Sequence, residues 1–301
     1  MKAWVLHGIN DMKQEAVAEP VLHDGEVLVQ VKAAGICSSD ISRVYVNGAY
    51  HYPIILGHEF SGVTMEGRRV GVFPLLPCFT CDSCRQNRYE TCSNYGYIGS
   101  RQNGAFAESV AVPKWNLMDL PDTLSFEHAA MLEPASVALH AVKHFDLTNV
   151  NTAAVVGNGT IGRLIAKWLN IYGVEKVSVI GRNDNTPQNM DACIEAVGSV
   201  DALKRCIDAV RPNGQIVLVG NPNAEFGLEQ KLYWQILRKQ LILRGSWNGS
   251  FRVDWQETMD NIDQLDLDEL ISHRFSFNEL DKAVAMMKNK TERYSKVMIR
   301  V

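Results

Sequence analysis

Short apolar runs broken by glycines and polar residues fill the first part of the chain: GEVLVQVKAAGIC, YPIILGHEFSG, RRVGVFPLL and AFAESVAVP. Such runs predict an antiparallel, β-rich body whose loops carry the polar residues. Over Ser125–His144 the period lengthens to that of a helix, SFEHAAMLEPASVALHAVKH, interrupted at Pro134. From Thr152 the texture changes to strand–turn–helix units. TAAVVGNGTIGRLIAKWLNIYG, KVSVIG, DACIEAVG, a helix over Val200–Val210 and GQIVLVGNP predict a parallel α/β sheet, with LILRGSW as its last strand. The tail FSFNELDKAVAMMKNKTERYSKVMIRV predicts an amphipathic helix and a strand that rejoins the first body. The expected organisation is a first domain over 1–136, a second over 137–264 and a returning segment over 265–301.

One connection does not suit a parallel sheet. The strand-like runs Val177–Ile180 and Ala192–Val197 are separated only by Gly181 and the polar stretch Arg182–Asp191. Parallel neighbours normally need a crossover of a dozen or more residues, usually a helix.

Apolar residues make up 46% of the chain and charged residues 21%, an ordinary globular balance. The net charge of −4, with no basic block, argues against nucleic acid as the partner. The opening MKAWVLHGIND has no apolar signal region, and no apolar run is long enough to span a bilayer. The expectation is a cytoplasmic protein that binds neither nucleic acid nor membrane. In that reducing setting the crowding of Cys78, Cys81, Cys84 and Cys92 reads as metal, with disulfides and an iron–sulfur cluster as competing uses. Four thiolates close a tetrahedral zinc shell with no open position, the structural type.

Two separated fragments, GICSSD and LGHEF, offer Cys37, His58 and Glu59, and Glu133 in MLEPASVALHA can add a second carboxylate. Mixed thiolate, imidazole and carboxylate ligands with an exchangeable position mark a catalytic zinc. Each fragment alone is weak, because a lone cysteine is more often a buried hydrophobe. In GNGTIG, the residues Gly157, Gly159 and Gly162, with Thr160 and Ile161 between, fit the turn that seats a pyrophosphate on a helix N-terminus. The next strand ends in Gly181 and Arg182, where an acid would read an unphosphorylated ribose. Arginine suits a 2′-phosphate and leans the choice within NAD(P) to NADP, unless Arg182 is a solvated loop residue.

With these motifs in this order, the chain resembles the zinc-containing medium-chain dehydrogenases, and within them the polyol and polyol-phosphate branch. The stretches NGAYHYPIILGHEF, PLLPCFTC, YIGSRQNGAFAE and ILRKQLILRGSW carry the narrower likeness. The resemblance implies a β-rich GroES-like catalytic domain and a doubly wound Rossmann-type sheet. It implies one catalytic zinc among Cys37, His58 and Glu133, with Glu59 as an alternate or neighbouring carboxylate, and one structural zinc. Asp40 would fix the His58 tautomer, and Ser39 would relay the proton from the substrate hydroxyl. The implied reaction moves hydride between a secondary alcohol, such as galactitol 1-phosphate or sorbitol, and NAD(P). Arg43, His51 and Arg101 could hold a substrate phosphate, solvated side chains being the alternative. Homodimers or homotetramers are expected from the resemblance.

The chain departs from that pattern at the short connection, where roughly 40 residues carrying a helix, the third strand and another helix are wanting. In the order 3-2-1-4-5-6 the third strand is an edge, so its loss leaves 2-1-4-5-6 with every inner ladder intact. The expected cost falls on the adenosine pocket. Two other readings stay open: an NADPH-dependent ketose-phosphate reductase, and a non-catalytic descendant that binds zinc or sugar phosphate.

Overall fold

The computed structural model describes residues 1–222 and 224–301. The chain divides into two bodies, Met1–Glu133 with Asp266–Val301, and Pro134–Leu265. The first holds β1 (Lys2–Gly8), β2 (Asp11–Ala16), β3 (Glu26–Ile36), α1 (Ser38–Tyr45), β4 (Ile54–Ile55), β5 (Glu59–Thr64) and β6 (Arg69–Val72). It continues with β7 (Leu75–Leu76), α2 (Asp82–Arg85), β8 (Gly96–Tyr97), β9 (Ser109–Pro113), β10 (Leu117–Asp119) and α3 (Phe126–Ala130). After α4 (Leu132–Lys143), the second body holds β11 (Thr152–Val156), α5 (Thr160–Ile171), β12 (Lys176–Ile180), β13 (Met190–Glu195), α6 (Val200–Ala209), β14 (Val210–Leu218), α7 (Gln230–Lys239), β15 (Ile242–Gly245) and α8 (Asp254–Asp260). The chain then returns through β16 (Ile271–Ser276), α9 (Leu280–Asn289) and β17 (Lys296–Arg300).

The main sheet of the first body runs β10-β6-β5-β3-β17-β16, with β9 also on β3. Its pairs are antiparallel except β16 with β17, which is parallel. Period two is visible along β3, where Val29, Val31 and Ala33 are buried and Gln30 and Lys32 exposed. Val29 and Val31 join Trp4, Phe60, Phe106, Leu280 and Val297 in one core. Glu127 on α3 takes ion pairs from Arg274 on β16 and Arg300 on β17, which ties the returning strands to the body they rejoin.

The expected break at Pro134 lies elsewhere. α3 ends at Met131, and Pro134 sits in the first turn of α4, where helical N–H groups have no intrahelical partner and proline sacrifices nothing.

The second body carries a five-stranded sheet in the order β12-β11-β13-β14-β15, every pair parallel. Among the described residues no strand lies outside β12, so the edge strand is absent while the inner ladders are complete. Residues 181–189 carry the chain from β12 past β11 to β13 without a helix. Arg205 on α6 stitches this passage: its guanidinium donates to the Gly181 carbonyl at 2.7 Å, the Asp184 carbonyl at 2.6 Å and Thr186 Oγ1 at 3.0 Å. α6 meanwhile buries Leu203, Cys206 and Ile207 with Ala154, Ile180 and Cys193 of the sheet.

Candidate active site and metal centres

Register brings the first group together. Gly35 on β3 lies opposite Glu59 on β5, so Cys37, just past β3, and His58, just before β5, emerge at the same end of the ladder. On the other side of β3, Val297 of β17 pairs with Ile36, which sets Lys296 beside Cys37. The donor atoms of Cys37, His58 and Glu59 lie within 4.8 Å of one another. Gly35 is required by this crowding, since a Cβ there would lie 2.2 Å from Glu59 Oε2.

Cys37 caps α1, and its N–H donates to Asp40 Oδ2 at 3.0 Å, which seats the Asp40 side chain at the base of the helix. Asp40 Oδ1 faces His58 Nδ1 at 3.4 Å, and both atoms are buried with no hydrogen-bond partner. Burial opposes charge on His58, yet Asp40 and Cys37 raise its pKa well above the ordinary value. Burial likewise works against the Asp40 charge, and His58 outweighs it, leaving that carboxyl below its usual range. Glu133 is 8% exposed and accepts a hydrogen bond from the Tyr97 hydroxyl at 3.0 Å. Burial pushes the Glu133 carboxyl up to about 7. Ser39 is half-buried in the first turn of α1.

These residues fit a zinc ion. One thiol, one imidazole whose Nδ1 is turned to a carboxylate, and two buried acids form a donor set short of one cation. The second centre fits better still. Donor atoms of Cys78, Cys81, Cys84 and Cys92 lie within 4.8 Å of one another, framed by the β7–β8 hairpin and α2. Sulfur separations of 4.0 Å for Cys78–Cys84 and 3.8 Å for Cys81–Cys92 exclude disulfides between them. The Thr80 hydroxyl and nearby amides hold the Cys78 thiol down to about 5, so this ligand is already a thiolate. Burial and neighbouring thiols push Cys84 up to about 12, a conflict that a cation resolves.

The proposed phosphate ligands gather only in part. Arg101 is stacked between Tyr50 and Tyr95 at 4.6 and 4.5 Å, and its carbonyl lies 3.2 Å from His51 Nε2. Arg43 lies on α1, with Nη1 buried and without a hydrogen-bond partner, close enough to Asp40 for its charge to act there. Cys193 and Cys206 are free, fully buried thiols.

In the second body, Gly157 adopts φ +127° and a Cβ on Gly162 would lie 1.8 Å from the Gly157 carbonyl oxygen. Gly159 caps α5 with no side-chain hydrogen bond and faces open space, so the first amides of the helix, Thr160 and Ile161 among them, are free of a side-chain cap. Such a cradle fits a pyrophosphate. Arg182 is exposed. Asp184, which the spacing argument passed over, folds back so that its Oδ2 accepts from the Gly181 N–H at 2.7 Å, placing a carboxylate in the same turn.

Residues 23–122 match the family model for the alcohol dehydrogenase GroES-like domain, and residues 183–264 that for zinc-binding dehydrogenases. Galactitol 1-phosphate 5-dehydrogenase of Escherichia coli (strain K12) is 31% identical over 316 aligned residues, covering 90% of this chain and 91% of that one. The chain belongs to the zinc-binding alcohol dehydrogenases. The crystal structure of galactitol-1-phosphate dehydrogenase from Escherichia coli superposes with a TM-score of 0.91 at 30% identity, covering 100% of both chains. An alcohol dehydrogenase from E. coli CFT073, complexed with NADH, gives 0.90 at 25% identity, covering 100% of this chain and 99% of that one.

The family accounts for the mixed architecture, a β-rich GroES-like body and a Rossmann-type parallel sheet, and for zinc and a nicotinamide dinucleotide as cofactors. Among the described residues no helix is long and apolar enough to cross a membrane. Two residues that contact the candidate metal ligands escaped the sequence reading: Tyr97, on Glu133, and Lys296, on Glu59. Tyr97 stands in NYGYIGS without a spacing signal, and Lys296 in a closing strand whose next three residues are buried.

Proposed function

We propose that this dehydrogenase oxidises a secondary hydroxyl of a polyol or polyol phosphate, with galactitol 1-phosphate and sorbitol as the first candidates. The observation that carries the reading is the convergence of Cys37, His58 and Glu59, with the Asp40 carboxylate behind His58 Nδ1 and the buried Glu133 near enough to feel the His58 and Glu59 charges. Cys37, His58 and Glu133 would hold the catalytic zinc, and the four-cysteine cluster a structural one. Bound zinc supplies Lewis-acid polarisation that lowers the pKa of the substrate hydroxyl.

Everything else is the work of this chain's own groups. Asp40, 3.4 Å from His58 Nδ1, would fix that nitrogen as the protonated one and leave Nε2 to ligate the metal. Tyr97 donates to Glu133 Oε1 and would help orient that carboxylate toward the metal. Ser39, at the start of α1, would relay the proton of the substrate hydroxyl, accepting it while passing its own hydroxyl proton on toward solvent. The α5 N-terminus would hold the pyrophosphate of NAD(P), whose nicotinamide accepts the hydride.

Arg101, with its guanidinium fixed between two tyrosines, and Arg43, with an unpartnered buried nitrogen, support a phosphate at the substrate's far end. Arg43→Ala and Arg101→Ala should lose turnover on the polyol phosphate and keep it on the free polyol. Equal losses on both would remove the phosphate role. A reduced, cytoplasmic setting suits seven free cysteines. The expected assembly is a homodimer or homotetramer, which light scattering would measure.

A further inference from the structure

The loop that follows β15, residues 246–253, is held more firmly than a surface connection needs. Two of its residues, Asn248 at φ +56° and Arg252 at φ +71°, occupy the left-handed region that residues other than glycine seldom enter. Such backbone persists only where its surroundings over-determine it, and it gathers at ligand sites. The chief anchor is Asp254, 1% exposed at the start of α8. Its Oδ2 accepts from the Ser250 N–H at 2.7 Å and faces His140 Nδ1 at 2.7 Å, while its Oδ1 accepts from the Lys143 ammonium at 2.9 Å. Burial works against the Asp254 charge, and His140, Lys143 and the Ser250 amide outweigh it, leaving the carboxyl below its usual range. Gly249 completes the seat on α4, where a Cβ would lie 2.7 Å from Ser136 Oγ.

The loop also carries unmet hydrogen-bonding groups. The Ser246 N–H donates to the Leu218 carbonyl at 2.9 Å, so the loop leaves from the carboxyl end of parallel strands, the sheet edge that also holds the glycine turn. Ligands of such sheets bind outside that edge. Ser246 is 8% exposed and its Oγ has no hydrogen-bond partner, nor has the buried Nδ2 of Asn248. Buried polar atoms are rarely left unmatched, and here a hydroxyl and an amide donor stand together without partners. With the pyrophosphate on the α5 turn and adenosine on the β12 side, the order β12-β11-β13-β14-β15 puts the nicotinamide half on the side of β14 and β15.

We infer that Asp254 is a positioning residue, clasped by His140 and Lys143, that fixes loop 246–253 so that the Ser246 hydroxyl and the Asn248 amide meet the nicotinamide carboxamide. This rests on the second body holding NAD(P), as proposed above. A carboxamide offers one acceptor and one donor group, which a hydroxyl and an amide can match. Without the Asp254 carboxylate the Ser250 N–H loses its acceptor, and the loop is free to leave its left-handed backbone and carry both side chains out of place.

The test is saturation-transfer NMR of NAD on the full chain, which reads the nicotinamide and adenine protons of one bound molecule separately. In Asp254→Ala the nicotinamide signals should fall several-fold relative to the adenine signals, with NAD affinity lower by about tenfold. Ser246→Ala and Asn248→Ala should each lower the same ratio without loss of thermal stability. A role confined to stability would lower both sets of signals together. An even loss, or an unchanged ratio in a folded Asp254→Ala protein, would overturn the inference. Where Asp254→Ala does not fold, Lys143→Met removes one arm of the clasp and is read by the same ratio, a fall upholding the inference and constancy overturning it. No transfer to NAD from the unmodified protein would overturn the cofactor reading and the inference with it, a result distinct from the others.

Discussion

Glu133 shows how one buried side chain couples metal and folding. Its folded carboxyl stands at about 7 against an ordinary 4.5, so between those values the folded state binds a proton that the unfolded chain has released. Stability of the metal-free protein therefore falls as pH rises through that window, and is lowest above about 7, where the buried acid must ionise. Glu133→Gln should remove this slope, leaving the metal-free variant more heat-stable than the parent at alkaline pH, as thermal melts across pH would register. Zinc should abolish the difference in the parent, because the metal binds the ionised form. At the cofactor end, Arg182 and Asp184 share one turn with opposite charges. Arg182→Ala should weaken NADP more than NAD in fluorescence titrations, and Asp184→Asn should strengthen NADP. Equal effects on both nucleotides would leave Arg182 a solvated loop residue.

The passage from β12 to β13 is the element where this chain differs from its fold. Arg205 stands in for missing structure, with three hydrogen bonds holding a loop that has no helix of its own. Charged donors make the stronger class of such bonds, so Arg205→Ala should cost about 2–3 kcal/mol in denaturant unfolding. A change within a few tenths of a kcal/mol would show that the loop is held by other means. The sheet order, the α5 turn and the cysteine centre were all legible, because each is written in local spacing: alternation along β3, three glycines in six residues, four cysteines in one loop. What escaped was reach. Lys296 meets Glu59 across 237 positions, and Arg205 grips a loop some twenty residues behind it; neither pairing leaves a periodic trace. The break assigned to Pro134 failed for another reason. Proline forbids a helix interior but suits a first turn, and which of the two it occupies depends on where the helix starts.

At the scale of the whole molecule, the two bodies carry separate chemistries. The candidate metal ligands lie in Met1–Glu133, with Lys296 of the returning segment beside Glu59, and the glycine turn proposed to seat the pyrophosphate lies in Pro134–Leu265. The absent edge strand lies on the β12 side, so the cost of its loss falls on the adenosine end of the cofactor. Calorimetry should accordingly give nucleotide binding weaker than the micromolar affinity ordinary for such sites, with the pyrophosphate contacts kept; ordinary affinity would show that the lost segments contribute nothing to it.

The most direct test of a zinc-dependent polyol dehydrogenase is the reduced-nicotinamide absorbance of the zinc-loaded protein with galactitol 1-phosphate and with sorbitol, using NAD and NADP, before and after a chelator. The account predicts substrate-dependent reduction of the nucleotide that the chelator abolishes and zinc restores. No reduction with any polyol, or turnover indifferent to chelation and to Cys37→Ser, would contradict it.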